Sequence, residues 1–284
     1  MLNHQTRFWI LELETVRILR FEGPCSRASS SWVHIYIGIW ILDVAQTAPS
    51  TVQFTGIDID KRMYPNKYPS NVTFDIGSVL SLPSQWTSKY DIVHQRLLAA
   101  GLQRPQWELA LKEIYRVLKP GGWVQLVEVD LANMGVGPES TRLAQVQKRI
   151  FALKNLDITI ADNLPGIVKK VGFAEIRATD YPYVLYGSAI PNVKAREMMY
   201  RGHSGIKGPI TELGGLGYVK DGCDFDKMRE GALKEWEAIK SDPLRIRVVC
   251  ARKPPASARN RWIVFVVALG LLLLATIRWV EVTI

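Results

Sequence analysis

The chain has 284 residues, of which 48% are hydrophobic and 22% are charged, and its formal net charge is +9. This length allows one large α/β domain with additional segments, and the composition is that of a globular protein. The three cysteines (Cys25, Cys223 and Cys250) lie far apart, and the sequence has no CxxC motif or paired-histidine spacing. These features exclude a disulfide scaffold and predict that no structural metal is bound.

The basic residues are spread along predicted helices and gathered near the C-terminus, without a stripe of alternating basic and aromatic residues. We therefore expect no nucleic-acid partner, although the net charge is positive. At the other end, Glu12 and Glu14 interrupt the apolar run that begins at Phe8. The N-terminus therefore does not match a secretory signal.

Gly38–Thr47 is the first helix that the sequence predicts. If Ile41–Val44 were a strand, only seven residues would separate it from the next strand at Val52. A parallel crossover needs about a dozen residues, so the segment is predicted to be a helix. Trp32–Ile37 is predicted to serve as a strand before this helix.

The segments that follow alternate between strand and helix patterns, which favours a parallel sheet with right-handed crossovers. The predicted strands are Val52–Ile59, Val72–Ile76, Tyr90–His94, Trp123–Val129, Ile176–Tyr186 and Ile246–Ala251. The predicted helices are Pro105–Leu118, Thr141–Leu153, Ile160–Val171 and Asp224–Lys240. The glycine-rich segment 191–222 is predicted to be irregular and is interpreted as a cap over the substrate.

The most informative motif is Glu113–Asp130, with the sequence EIYRVLKPGGWVQLVEVD. An amphipathic helix is predicted to end at Lys119-Pro120, and Gly121-Gly122 is predicted to form a tight turn before an apolar strand. This motif resembles the fifth strand of the class I methyltransferases that use S-adenosylmethionine. The resemblance implies a doubly wound, mostly parallel, seven-stranded Rossmann-like sheet, closed by an antiparallel pair of late strands.

Two further segments are similar to the fungal LaeA-like small-molecule methyltransferases. Gly38-Ile39-Trp40 stands where a Gly-Ile-Trp opens the first helix of that group, and Leu2–Glu14 is similar to its lead-in. The family's glycine-rich loop before this helix is largely missing, because Cys25–Ile37 (CSRASSSWVHIYI) stands there and only Gly38 remains. Either the gene model misjoined an exon here or the chain is a weakened or inactive relative.

The resemblance implies that S-adenosylmethionine is the cofactor and assigns residues to its site. The residues expected to line it are Gly38, Asp58, Ile59, Gly77, Ser78, Val79 and His94. Asp58 would accept the ribose hydroxyls, with Asp60 as the alternative, and Ser78 stands where the family has an acidic residue near adenine. His94 would line the methyl-donor pocket and is a weak candidate base, whereas a histidine satisfied within the fold is the structural alternative.

Glu128 and Asp130 close the predicted fifth strand at the sheet edge where open α/β folds bind ligands. Methyl transfer to an acceptor is an in-line displacement that depends on alignment and exclusion of water. The sequence therefore predicts no fixed catalytic residue.

The C-terminal segment 262–280 is almost entirely apolar, with Trp262 and Trp279 near its ends and Arg259 and Arg261 before it. This pattern predicts a single-pass tail anchor with the large N-terminal part in the cytosol. The expected organisation is an atypical lead-in (1–37), a methyltransferase domain (38–253), a basic linker (254–261) and the transmembrane anchor.

These observations predict a membrane-tethered methyltransferase that transfers a methyl group to a small-molecule acceptor, in fungal secondary metabolism. The alternative is a catalytically impaired, methyltransferase-like binding or regulatory protein, which the missing glycine loop favours. A dinucleotide oxidoreductase is disfavoured because no GxGxxG motif follows any predicted strand.

Overall fold

The computed structural model describes residues 8–13, 39–61, 64–182, 193–238 and 245–256. Its strands are β1 (Phe8–Leu13), β2 (Val52–Asp58), β3 (Val72–Ile76), β4 (Tyr90–Arg96), β5 (Leu118–Val129), β6 (Ala174–Pro182) and β7 (Arg245–Arg252). Its α-helices are α1 (Ile39–Thr47), α2 (Gln106–Val117), α3 (Pro138–Leu153), α4 (Ile160–Val171), α5 (Val193–Glu212) and α6 (Gly222–Ala238). The predicted strands and helices are present, with shifted ends for most of them, apart from Trp32–Ile37, which the described residues do not include.

The seven strands form one sheet in the order β3-β2-β1-β4-β5-β7-β6. The pairs β2–β3 and β4–β5 are parallel, and the other four neighbouring pairs are antiparallel. The Rossmann-like architecture is therefore confirmed, but the sheet is mixed, so the expectation of a mostly parallel sheet is wrong. The main reason is that β1 comes from the N-terminal lead-in and runs opposite to both of its neighbours.

The direction of β1 changes what lies at the two edges of the sheet. Leu13 pairs with Val52 at the start of β2, and Phe8 pairs with Ile57 near its end. By contrast, α1 begins near the end of β4, because Trp40 stacks on His94 with ring centroids 3.8 Å apart. β1 therefore ends at the edge where β2 begins, and α1 begins at the opposite edge. The predicted strand Trp32–Ile37 lies outside the described residues.

The helix before the central motif ends at Val117, before Pro120, which cannot donate to the helix. The predicted turn is part of β5, which begins at Leu118 and shifts its register against β4 at this point. Gly121 has a φ of +86°, and a Cβ on Gly122 would lie 2.9 Å from the carbonyl oxygen of Asp91. Both glycines are therefore needed for the register shift within β5. They do not form a separate turn before this strand.

Helices cover both faces of the sheet. Trp107, Leu111 and Ile114 of α2 are buried in a core that also includes residues of α4, β4 and β5. A second core joins α3, α5 and α6 to β5 and β7. The segment 193–212 is therefore the helix α5, and the prediction that 191–222 is irregular is wrong there. Ile210 of α5 is fully buried, so tertiary packing outweighs the glycines and Pro209 within this helix.

Candidate active site

The ends of β2 and β3 meet at the carboxyl edge of the sheet. Asp58 is buried, and its Oδ1 accepts a hydrogen bond from the Asp60 backbone N–H at 2.9 Å. The Gly77 N–H donates to the Asp58 carbonyl oxygen at 2.9 Å, which brings Ser78 next to the end of β2. The Ser78 hydroxyl accepts from the Leu80 N–H at 3.2 Å. Three of the predicted cofactor residues therefore lie together, and we call Asp58, Gly77 and Ser78 the nucleoside edge, after the role predicted for them from the sequence.

Tyr64 holds the nucleoside edge in place, although no motif in the sequence pointed to this residue. Its hydroxyl accepts from the Asp58 N–H at 3.0 Å and lies 2.5 Å from the Asp75 carbonyl oxygen. Burial is the main cause that raises the pKa of Tyr64 to about 12, and nearby carboxylates raise it further. The phenol is therefore neutral and clamps the backbones of β2 and β3 together.

Ile59 and Val79, two further predicted cofactor residues, differ in how far their side chains are exposed. Ile59 follows β2 with 47% of its side chain exposed, whereas the Val79 side chain is 1% exposed and belongs to the core. Only the backbone of Val79 is available to a ligand. Gly38 lies outside the described residues, and its role stays a prediction.

His94 is enclosed within the fold. Its Nδ1 lies 2.8 Å from the Gln125 Oε1, and its ring stacks on Trp40 with an angle of 6° between the planes. Burial is the main cause that lowers the pKa of His94 to about 3, the Arg96 charge lowers it further, and Gln125 partly opposes both. The imidazole is therefore neutral at physiological pH. Its assignment as a cofactor residue or a base stays a prediction.

Glu128 is fully buried near the end of β5 and joins this strand to the loop after β4. Its Oε1 accepts from the Leu98 N–H and the Gln95 side-chain amide, both at 2.7 Å, and its Oε2 accepts from the Ala99 N–H at 3.2 Å. Burial raises the pKa of Glu128 to about 7, although these hydrogen bonds lower it. Oε2 retains room for one further hydrogen bond because a carboxylate oxygen has two lone pairs.

A cavity of about 240 Å³ lies beside Glu128, between α3 and α5. Its walls are mostly apolar and include Leu97 after β4, Phe151 of α3 and Ile206 of α5. Gln147 of α3 and His203 of α5 add polar groups. We call this space the α3–α5 cavity. Ligand sites of this kind combine apolar walls with a few polar groups.

Gln147 and His203 are 9% and 4% exposed, respectively. The Gln147 Oε1 and the His203 Nδ1 have no hydrogen-bond partner within the described part of the chain. The His203 ring stacks on Trp236 at 5.6 Å, and Trp236 donates to the Met134 carbonyl oxygen at 2.8 Å. Burial, followed by the Arg229 charge, lowers the pKa of His203 to about 4, so this ring is also neutral.

Sequence reasoning placed Glu128 at the ligand edge but missed Gln147 and His203. A polar residue on the buried face of the amphipathic helix α3 was the available signal for Gln147. His203 lies in α5, the segment expected to be irregular, so no face could be assigned to it.

Within the described ranges, no group of histidine, cysteine or acidic residues has a geometry that would hold a metal ion. No helix in those same ranges is long and apolar enough to cross a bilayer. The predicted anchor, 262–280, lies outside the described residues.

Comparisons with known proteins identify relatives of this chain. Residues 37–122 match the family described as a methyltransferase domain. N-methyltransferase verN of Clonostachys rogersoniana is 28% identical over 62% of this chain and 61% of verN. N-methyltransferase sirN of Leptosphaeria maculans is 35% identical over 45% of this chain and 42% of sirN. N-methyltransferase gliN of Aspergillus fumigatus is 27% identical over 83% of this chain and 86% of gliN.

The matched segments thus span less than two thirds of verN and sirN, and most of gliN. The family match and the seven-stranded sheet with its late antiparallel pair agree with the motif around Pro120. S-adenosylmethionine is the cofactor of this class. The chain therefore resembles the class I S-adenosylmethionine-dependent methyltransferases, with a methyltransferase-domain match over residues 37–122, and is similar to fungal N-methyltransferases.

Proposed function

We propose that the chain transfers a methyl group from S-adenosylmethionine to a nitrogen atom of a small molecule in fungal secondary metabolism. The observation that carries this proposal is the α3–α5 cavity, which lies beside Glu128 at the same sheet edge as Asp58. The names of verN, sirN and gliN support nitrogen as the methylated atom.

The nucleoside edge fits the nucleoside half of the cofactor. The Asp58 carboxylate suits the two ribose hydroxyls, because a carboxylate at the end of this strand can accept both. Ser78 offers a hydroxyl that donates or accepts, although it accepts more weakly than the acidic residue it replaces. Both groups lie at one edge because Gly77 bonds to the end of β2.

The cofactor supplies an electrophilic methyl group attached to a positively charged sulfur. The acceptor nitrogen uses its lone pair to form the new bond to carbon, while the carbon–sulfur electron pair stays with sulfur. The nitrogen must then lose a proton. Glu128 lines the same cavity and suits the role of final acceptor of this proton, because its pKa of about 7 lies near the working pH, where a general base is most effective.

A second candidate function is that of a non-catalytic binding or regulatory protein. The observation that favours it is the direction of β1, since Leu13 lies beside the start of β2 rather than at the carboxyl edge. In this family the glycine-rich loop follows the first strand at the carboxyl edge. This candidate predicts no turnover in a folded protein.

We further propose that segment 262–280 tethers the protein to a membrane, with the domain on the cytosolic side. The support is its sequence: an apolar run, tryptophans near both ends and a basic flank. The test is fractionation of cells that produce the full-length chain or a variant with Leu271–Leu274 changed to glutamates. The wild-type chain should remain in carbonate-washed membranes, and its recovery in the supernatant would reject the tether.

The test of the enzymatic proposal is methyl transfer from tritiated S-adenosylmethionine to indoline by the full-length chain. Indoline carries a neutral secondary nitrogen on a flat bicyclic frame. Label in N-methylindoline, abolished in Asp58→Ala, supports the proposal. Cofactor binding without label in indoline, tetrahydroisoquinoline or other N–H acceptors would favour the non-catalytic candidate.

A further inference from the structure

The α3–α5 cavity has the features of a selective subsite rather than of a packing defect. We infer, on the basis of the proposed function, that it is the acceptor subsite and takes a neutral, flat, largely apolar compound. The compound's N–H group donates to the Gln147 Oε1, and His203 provides the second polar contact.

The size of the cavity sets the class of ligand. An engineered apolar cavity of about 150 Å³ holds benzene, and this cavity measures about 240 Å³. A bicyclic ring system therefore fits, and Phe151 and Ile206 offer it apolar contacts. Such walls favour a flat apolar body over a sugar or a peptide chain.

Gln147 supplies the selection for a hydrogen-bond donor. Its Oε1 is buried and has no partner among the described residues, and an unsatisfied buried acceptor is costly. A ligand N–H in the cavity removes this cost, whereas an isosteric CH₂ group does not. A site that hydrogen-bonds a ligand group rejects the analogue that lacks the group.

His203 supplies the second polar contact in a fixed orientation. Its ring is held against Trp236, which is itself anchored on the Met134 carbonyl oxygen. A neutral imidazole has one nitrogen that donates and one that accepts, so the Nδ1 can match either group on the ligand. His203 and Gln147 lie on the two helices that face each other across the cavity.

The ligand is neutral for two reasons. Gln147 and His203 offer a ligand no negative charge, and Glu128 is the acidic side chain on the cavity wall, where burial raises its pKa to about 7. A cation held at Gln147 and His203 would therefore be buried without a full counter-charge, which is far more costly than burial of a hydrogen-bonded neutral group. A protonated amine also lacks the lone pair that the transfer requires. Burial and the nearby Arg229 charge, which keep His203 neutral, also disfavour a positive charge on the ligand beside it.

The experiment compares indoline with indane, which has the same shape but carries CH₂ in place of N–H. Calorimetry on the full-length chain in detergent gives both dissociation constants for the wild type, Gln147→Leu, His203→Phe and the control Phe151→Leu. Partitioning into detergent is common to all variants, so it cancels when their indoline-to-indane ratios are compared. Titration of S-adenosylmethionine into the same samples reports on the cofactor site and on folding.

Relative to Gln147→Leu, the wild type should favour indoline over indane by roughly ten- to a hundredfold. His203→Phe should reduce the preference, and Phe151→Leu should weaken both ligands by the same factor. An equal ratio in the wild type and both polar variants, or no binding of indoline, would overturn the inference. If Gln147→Leu does not fold, His203→Phe decides by the same criterion.

The two proposals fail in different ways. Cofactor binding without an indoline preference would reject the acceptor subsite and leave the proposed methyl transfer in place. An indoline preference without cofactor binding would support the stated ligand chemistry and reject methyl transfer.

Discussion

The nucleoside edge and the α3–α5 cavity hold their polar groups in different ways. Asp58 and Ser78 accept hydrogen bonds from backbone groups two residues further along the chain. Glu128 accepts from Leu98 and Ala99, about thirty residues earlier, and so joins β5 to the loop after β4. The first region is built locally, whereas the second depends on the whole fold. Substitutions at the nucleoside edge should therefore affect binding, and those around the cavity should also affect stability.

The largest expected effect is that of Glu128→Leu on stability. The substitution leaves the buried N–H groups of Leu98 and Ala99 without an acceptor, which should lower the free energy of unfolding by about 2–5 kcal/mol. Asp58→Ala removes the local hydrogen bond from the Asp60 N–H and should cost less, about 1 kcal/mol. Urea denaturation followed by circular dichroism measures both free energies of unfolding. Equal losses would show that the two regions do not differ in their contribution to stability.

The second prediction concerns pH. The Glu128 pKa is raised from 4.5 to about 7 by burial, so the unfolded chain ionises this carboxyl before the folded protein does. Its contribution to stability is therefore complete below pH 4.5 and is lost as the pH rises through 7, by about 3 kcal/mol. The measurement is the free energy of unfolding of the wild type minus that of Glu128→Gln. A difference that does not change over this interval would show that Glu128 is not buried as described.

The third prediction tests the nucleoside edge by cofactor affinity. Asp58→Ala should weaken S-adenosylmethionine binding by roughly tenfold or more, because a charged acceptor is lost. Ser78→Ala should weaken it by only about threefold, since a neutral hydroxyl contributes less. Asp60→Ala is the matched control. If it causes the larger loss in calorimetry, the ribose contact belongs to Asp60.

The smallest effect that we expect is the change in protonation of two buried histidines, His94 beside α1 and His203 in the cavity. Burial lowers their pKa values to about 3 and about 4, so the unfolded chain binds protons first as the pH falls below 6.5. Their contribution to the free energy of unfolding is therefore lost only as the pH falls below about 6.5. Both rings should stay neutral from about pH 5 to 8. NMR of ring-labelled histidines measures this, and a midpoint near 6.5 would show that the ring in question is solvated.

The sequence predicted the elements whose pattern is local. Val72–Ile76 and Ile160–Val171 have the predicted bounds, since β-branched residues mark the first and a strong apolar periodicity marks the second. The role of Phe8–Leu13 as a central strand was not predicted, because its pairing depends on strands about forty and eighty residues away. The helix α5 was missed because its glycines suggested a loop.

The same distinction applies to the candidate site. Asp58 and Ser78 were selected because each follows a predicted strand at the ligand edge, and the structure brings them together through Gly77. Gln147 and His203 lie on helices more than fifty residues apart. Only the packing of those helices places them around one cavity, so no motif in the chain could reveal the pair.

The central claim is that the chain binds S-adenosylmethionine even though the family's glycine-rich loop is largely missing from its sequence. The most direct test is calorimetric titration of S-adenosylmethionine into the purified full-length chain, with circular dichroism to verify folding. We expect binding at micromolar concentrations. A folded sample that does not bind the cofactor would contradict the proposed methyl transfer and leave the non-catalytic candidate.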